Sequence, residues 1–151
     1  MADVVDQATR SRMMAAIQGR NTKPEVALRR GLHRSGFRYV LHDRRLPGRP
    51  DIVFPRYQAV VFVHGCFWHR HDGCRYATTP KTRPEFWSKK FEANVARDQR
   101  NRQAVSEAGW KTAVVWECAL RGPRLDETVA RVSQWLRSGS RWIDIPDTLG
   151  D

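Results

Sequence analysis

The chain has 151 residues, 40% of them hydrophobic, and carries 27 Lys and Arg against 16 Asp and Glu, a net charge of +11 at pH 7. That is enough apolar material for one domain with a core and too much for a disordered chain. The longest apolar run, Ala59 to Val63, cannot span a bilayer, and the opening MADVVDQ lacks the cationic and apolar regions of a signal peptide, so a soluble cytoplasmic protein is expected. The excess of positive charge selects polyanions, nucleic acid first. Six Trp, six Phe and three Tyr add flat faces suited to bases. No Lys-rich amphipathic helix with a Trp/Leu face points to a membrane surface. Three cysteines, an odd number, fit reduced thiols available to a metal better than disulfides.

In chain order, Asp6 to about Arg20 reads as a helix with Met13, Met14 and Ile17 on one side. Thr22-Lys-Pro-Glu25 has the capping-box form, with Pro in the first turn, and predicts a helix to about Ser35 stopped by Gly36. Phe37 to His42 alternates and predicts a strand. After the turn-rich DRRLPGRP, Asp51 to Phe54 and Gln58 to Val63 predict two strands joined by the turn Pro55 to Tyr57. Thr82-Arg-Pro-Glu85 repeats the capping form and opens a long helix to about Ala108, ended by Gly109. Lys111 to Cys118 predicts a buried strand. Leu125, Val129, Val132 and Leu136 mark a last amphipathic helix, before a Gly/Ser break and a loose tail over 140–151. The order predicts an α/β protein with a mixed central sheet flanked by helices, a single domain over 1–151. Trp110, Trp116 and Trp135 are assigned to its core.

The densest chemistry lies in VFVHGCFWHRHDGC, residues 61–74. Cys66, His69, His71 and Cys74 follow one another closely, and Cys118 is the only other cysteine. Thiolate and imidazole together select Zn²⁺, and a closed structural site takes four such ligands. Cys118 alone would read as a small apolar filler; with the Cys66/Cys74 pair it completes a Cys₃His set. Spacing leaves His69 and His71 open as the fourth ligand, and frees the other for chemistry. Asp51, at the mouth of an apolar strand, could hold Mg²⁺ with backbone oxygens and waters, the metal that phosphodiester hydrolysis uses to polarise the phosphate. It could equally be a turn residue after Pro50.

GRPDIVF, VFVHGCFWHRH, RPEFWSKKFEANVARDQRN and AGWKTAVVWECALRG, with the N-terminal DQATRSRMMAAIQGRNTKPE, closely resemble the very short patch repair (Vsr) endonuclease family. The resemblance is collinear from about residue 3 to 123. It implies a restriction-endonuclease-like α/β fold with a structural zinc. It also implies an enzyme that nicks DNA 5′ of the T in T:G mismatches left when 5-methylcytosine deaminates. Carried onto this chain, it makes Asp51 the Mg²⁺ ligand, helped by the backbone carbonyl of Val63. His69 activates or relays to the attacking water, His64 contacts the phosphate region, and Glu25 supports the water at the metal. The zinc ligands become Cys66, His71, Cys74 and Cys118. A free imidazole titrates near neutral pH, which suits His69 to acid/base work; Glu25 is also the capping-box residue of its helix.

The resemblance further implies that Phe67, Trp68 and Trp87 enter the DNA from the major groove, while Met14 wedges from the minor-groove side. Parting two base pairs costs a few kcal/mol, which inserted aromatic faces offset and which is least at a mismatch. Ordinary core packing is the competing role for these rings. Two departures stand out. Phe62-Val63-His64 lacks the acidic-x-Lys pair of most nucleases of this fold, so Asp51 carries more of the chemistry; and His71-Asp-Gly-Cys74 is one residue longer than the family pattern. The expected partner is double-stranded DNA with a T:G mismatch, met by a monomer, with mismatch-repair proteins as further candidates. Two alternatives remain: a same-fold endonuclease for another mismatch or flanking sequence, and a zinc-stabilised DNA-binding module without catalysis. Binding alone would need none of Asp51, His69 and Glu25.

Overall fold

The computed structural model describes residues 22–146; the expected N-terminal helix, with Met13, Met14 and Ile17, lies outside the described residues. Helix α1 spans Lys23–Arg34. Thr22 Oγ1 accepts the Glu25 N–H at its start, and Gly36 follows its end in left-handed backbone, φ 97°. Strands β1 (Val40–Leu41), β2 (Ile52–Phe54) and β3 (Ala59–His64) come next. Helix α2 (Pro84–Glu107) leads to β4 (Lys111–Trp116), and helix α3 (Arg124–Arg137) to β5 (Trp142–Ile145). The sheet order is β1-β2-β3-β4-β5. The first two pairings are antiparallel and the last two parallel, as expected when a loop and a short turn join the early strands and helical crossovers the later ones.

Alternation along the strands sorts the apolar residues to two faces. Ile52, Phe54, Val61, Ala113 and Val115 meet Leu28 and Leu32 of α1 and Val132, Trp135 and Leu136 of α3. Val53, Val60, Phe62 and Val114 meet Val105 of α2, with Trp110 and Trp116 packed against them. Two helices therefore cover one face and the long helix the other. Leu28 and Leu32 are fully buried, each contributing about 1.5–3 kcal/mol relative to exposure.

Four expectations need correction. The strand expected over Phe37 to His42 shrinks to Val40–Leu41, because Phe37 ties its N–H back to Leu32 of α1 and buries its ring, while His42 turns left-handed at φ 49°. The strand expected to reach Cys118 stops at Trp116; Glu117–Leu120 forms a 3-10 turn that swings Cys118 off the sheet. The second capping signature does not form: α2 is capped by Arg83 in left-handed backbone, without a side-chain hydrogen bond. The tail expected to be loose from residue 140 contains β5 (Trp142–Ile145), paired along β4. WIDI is a short segment, buried only at Ile145, that a neighbouring strand must stabilise.

Candidate active site and metal centre

The C-terminal half of β3 feeds both parts of the site. Asp51, just before β2, is 7% exposed and accepts the Val63 N–H on Oδ2 at 2.7 Å. Glu25, on the first turn of α1, is 1% exposed. Its Oε2 accepts from His42 Nε2 at 2.9 Å and from Arg29 at 2.8 Å. Ligand atoms of Glu25, His42 and Asp51 all lie within 4.8 Å of one another. Burial holds the Asp51 carboxyl well above the usual carboxylate range, and the Glu25 charge adds to this. Two buried carboxyls facing each other are a cation's binding chemistry, because a cation removes the repulsion that burial intensifies.

An imidazole pair lines the same cleft as Asp51. His69 Nδ1 lies 2.6 Å from Asp98 Oδ2. A carboxylate only accepts, so Nδ1 carries the proton and a neutral His69 keeps its lone pair on Nε2. His64, at the end of β3, stacks on His69 with ring centroids 4.0 Å apart and planes 5° from parallel. Burial, then the charges of His69, Arg102 and Arg97, hold the His64 imidazole neutral well below its ordinary range. Its Nδ1 is buried with no hydrogen-bond partner among the described residues.

Asp51, His64, His69 and Asp98 line one cleft of about 1750 Å³, with Lys23, Arg30, Arg49, Lys90, Arg97 and Arg102 around it. Helix α2 supplies one wall through Asn94, Asp98 and Arg102, four residues apart and so on one face. Asn94 donates to the Trp68 carbonyl and fixes the turn that bears His69. Gly48, before Asp51, takes φ 76°, and a Cβ there would come within 2.7 Å of Asn101 on α2. The Asp51 loop thus presses directly against the helix that carries Asp98.

The second cluster is Cys66, His71, Cys74 and Cys118, again within 4.8 Å. His71 Nδ1 lies 3.6 Å from Cys66 Sγ and 3.5 Å from Cys118 Sγ. Tetrahedral zinc, with bonds of about 2.3 Å to sulfur and about 2.0–2.1 Å to nitrogen, sets sulfur and nitrogen about 3.6 Å apart, so the donors fit that ion. Burial pushes the Cys66 and Cys118 thiols up; a divalent cation among them would let them ionise. Gly73 in left-handed backbone, φ 73°, lets Cys74 fold back despite the longer spacing after His71. Of the two histidines left open by spacing, His71 faces the thiols and His69 faces Asp98.

The Cys/His cluster and the cleft share a ring contact. His71 stacks on Trp116 at 4.3 Å and 10°, and the Trp116 edge meets His64 at 5.1 Å and 79°. Beside them Phe67, Trp68, Trp87 and Phe91 pack at centroid distances of 5.0–5.9 Å. Phe67, Trp68 and Trp87 are half-buried, and Phe86 next to them is exposed. Trp135 is buried as expected, whereas Trp110 and Trp116 are only half-buried.

A family model of the DNA mismatch endonuclease Vsr matches residues 2–75. The chain is 46% identical over 139 residues to the DNA mismatch endonuclease Vsr of Escherichia coli, covering 90% of this chain and 88% of that one. It is 51% identical over 120 residues to the Type II nicking enzyme V.XorIIP of Xanthomonas oryzae pv. oryzae, covering 80% and 88%. This chain belongs to the Vsr family. The Neisseria meningitidis nicking enzyme V.NmeAIP is 43% identical over 121 residues, covering 80% and 86%.

For this Vsr-family chain, sequence reasoning missed three groups. Asp98 sits in ARDQRN, which reads as a solvated charge run; only its position on the Asn94 face of a long helix marks it. His42 lies at the end of an expected strand and gains meaning only when its turn brings it to Glu25. Arg102 acquires its surroundings from β5, which was not foreseen. Met14 lies outside the described residues.

Proposed function

We propose that this DNA endonuclease nicks the strand 5′ of the T in T:G mismatches arising from deaminated 5-methylcytosine, by Mg²⁺-dependent phosphodiester hydrolysis. The observation that carries the reading is one basic cleft lined both by the buried Asp51 carboxyl, which Glu25 adjoins, and by an Asp98-oriented imidazole. A sheet with an antiparallel start and parallel end, with Asp51 just before β2, fits the restriction-endonuclease-like architecture.

Mg²⁺ would be held by Asp51 and the Val63 carbonyl, and supplies charge to polarise the phosphate and prepare a water. A residue in an extended strand turns its N–H and C=O to the same side, and the Val63 N–H already meets Asp51. Glu25, held by His42 and Arg29, adds a second carboxylate beside Asp51. His69, with Nδ1–H held by Asp98, presents Nε2 to take a proton from the attacking water. His64, buried and neutral, offers a donor or acceptor to the phosphate region without bringing a competing charge. Zn²⁺ on Cys66, His71, Cys74 and Cys118 fixes the turn bearing Phe67 and Trp68, which with Trp87 stack on bases parted at the mismatch. Met14 is assigned the opposite wedge, and Lys and Arg around the cleft meet the backbone phosphates. A single cytoplasmic domain acting as a monomer suits an asymmetric lesion, with mismatch-repair proteins as candidate partners.

The test is a strand-specific nicking assay on labelled duplexes carrying T:G, T:A or C:G at one position, with Mg²⁺ or EDTA. A single Mg²⁺-dependent nick 5′ of the mismatched T is expected. Equal cutting of all three duplexes would discard the mismatch reading, and binding without cutting would discard the enzyme.

A further inference from the structure

Arg102 stands apart from the other cations of the cleft. It follows Asp98 by one helical turn on α2, so both point to the same wall. Its guanidinium lies over the Trp142 ring at 3.8 Å. Trp142 Nε1–H donates to Asp144 Oδ2 at 2.8 Å, and the same oxygen lies 3.8 Å from Arg102, a long ion pair. The Arg102 guanidinium makes no hydrogen bond among the described residues, although the side chain is only 35% exposed. Its charge reaches the His64 imidazole.

A planar cation partly out of water and 3.8 Å over an indole keeps N–H groups that no protein acceptor among the described residues takes. Stacking fixes the ring plane and costs no donor. The Asp144 oxygen is already taken by Trp142 and stands too far to satisfy the fork. What suits such a fork is a bidentate oxyanion, and a phosphodiester is the one the cleft is built to receive.

We propose that Arg102 grips the reacting phosphodiester from the α2 wall, set in place by the Trp142–Asp144 clasp of β5. This rests on the nicking reading and adds to it a transition-state contact and a role for β5. Two N–H groups aimed at the phosphate oxygens meet charge that grows as the water attacks, so the benefit falls on the chemical step more than on binding.

The experiment is single-turnover nicking of a T:G duplex by wild type, Arg102→Ala, Arg102→Lys, Trp142→Ala and the Arg102→Ala/Trp142→Ala double variant, with thermal melting and the salt dependence of duplex binding. Arg102→Ala should slow nicking at saturating DNA by roughly 10²–10³-fold, weaken binding by less than tenfold, and reduce the salt slope by about one. Arg102→Lys keeps the charge but not the fork, and should recover only part of the rate. Trp142→Ala should slow wild type about tenfold and leave Arg102→Ala unchanged, since the clasp acts only through the guanidinium. Arg102→Ala or Arg102→Lys nicking within twofold of wild type would overturn the proposal. Full loss of rate in Arg102→Ala that tracks a lowered melting temperature, with Arg102→Lys normal, would also overturn it. A wild-type enzyme that fails to nick the T:G duplex would instead sink the nicking reading on which the proposal stands.

Discussion

Replacing Asp98 by Asn removes a charge while keeping the shape, and so tests the reading of His69 with little disturbance. The carboxylate accepts Nδ1–H at 2.6 Å and is partly buried, with side-chain exposure of 21% for His69 and 13% for Asp98. A hydrogen bond to a charged partner contributes about 1.5–3 kcal/mol. At 1.36 kcal/mol per tenfold, its loss as His69 gains a proton corresponds to about 10- to 150-fold in rate. The Asn amide adds a second penalty whenever it turns its N–H toward Nδ1, because the proton then moves to Nε2 and blocks the face turned to the cleft. Single-turnover nicking of a T:G duplex should therefore slow by about 10- to 150-fold or more, with the melting temperature nearly unchanged. On a His69→Ala background the same change should do nothing further. Asp98→Asn nicking within twofold of wild type would refute the assignment of His69 as the proton acceptor.

Removing zinc with a strong chelator should lower the melting temperature by ten degrees or more, since losing several kcal/mol costs about 2–4 °C per kcal/mol at this size; protein that holds no zinc yet melts unchanged would refute the Cys₃His assignment. Because burial raises the Asp51 carboxyl above 3.8, its contribution to metal-free stability is present below that value and is lost as pH rises through the folded-state pKa. Asp51→Asn should therefore raise the melting temperature of metal-free protein at pH 7 and narrow its advantage as pH falls, while abolishing nicking. His64 works in the opposite sense, its stabilisation being present above pH 6.5 and lost on acidification toward its lowered pKa, so the difference between the two proteins, measured by calorimetry, is the informative quantity. Gly48→Ala combines left-handed backbone with a 2.7 Å approach to Asn101; overpacking of this kind costs about 1–3 kcal/mol. It should lower the melting temperature by a few degrees and slow nicking disproportionately, because the loop that must shift carries Asp51.

Much of this molecule could be read from its residues. The Thr22 cap, the Gly36 stop and the apolar strands at Ile52–Phe54 and Ala59–His64 are local signals, and the structure keeps them. The cysteines and histidines of 61–74 likewise suggest a metal site by type and spacing, and the structure gathers Cys66, His71 and Cys74 with Cys118. What stayed hidden depends on distant partners. β5 exists because Trp142–Ile145 finds an open edge at β4, which no pattern within WIDI encodes. Asp98 and Arg102 matter because a polar helical stripe that would normally face water borders a cleft. The choice between His69 and His71 turns on which ring meets Asp98 and which meets the thiols, a matter of three-dimensional placement that the spacing alone left open.

The row of rings from His71 through Trp116 and His64 to His69 has a consequence for how the substrate is judged. Rings at van der Waals contact hardly compress, so the distance from the thiol cluster to the imidazole facing the cleft is set before any DNA arrives. On the nicking reading proposed above, the protein would then act as a gauge, and the duplex would be the part that bends. A well-stacked step resists at a cost of several kcal/mol, whereas a wobble pair yields more readily. Discrimination at this site would then be measured in the stiffness of DNA, and any lesion that softens the same step would be admitted in proportion to its softness.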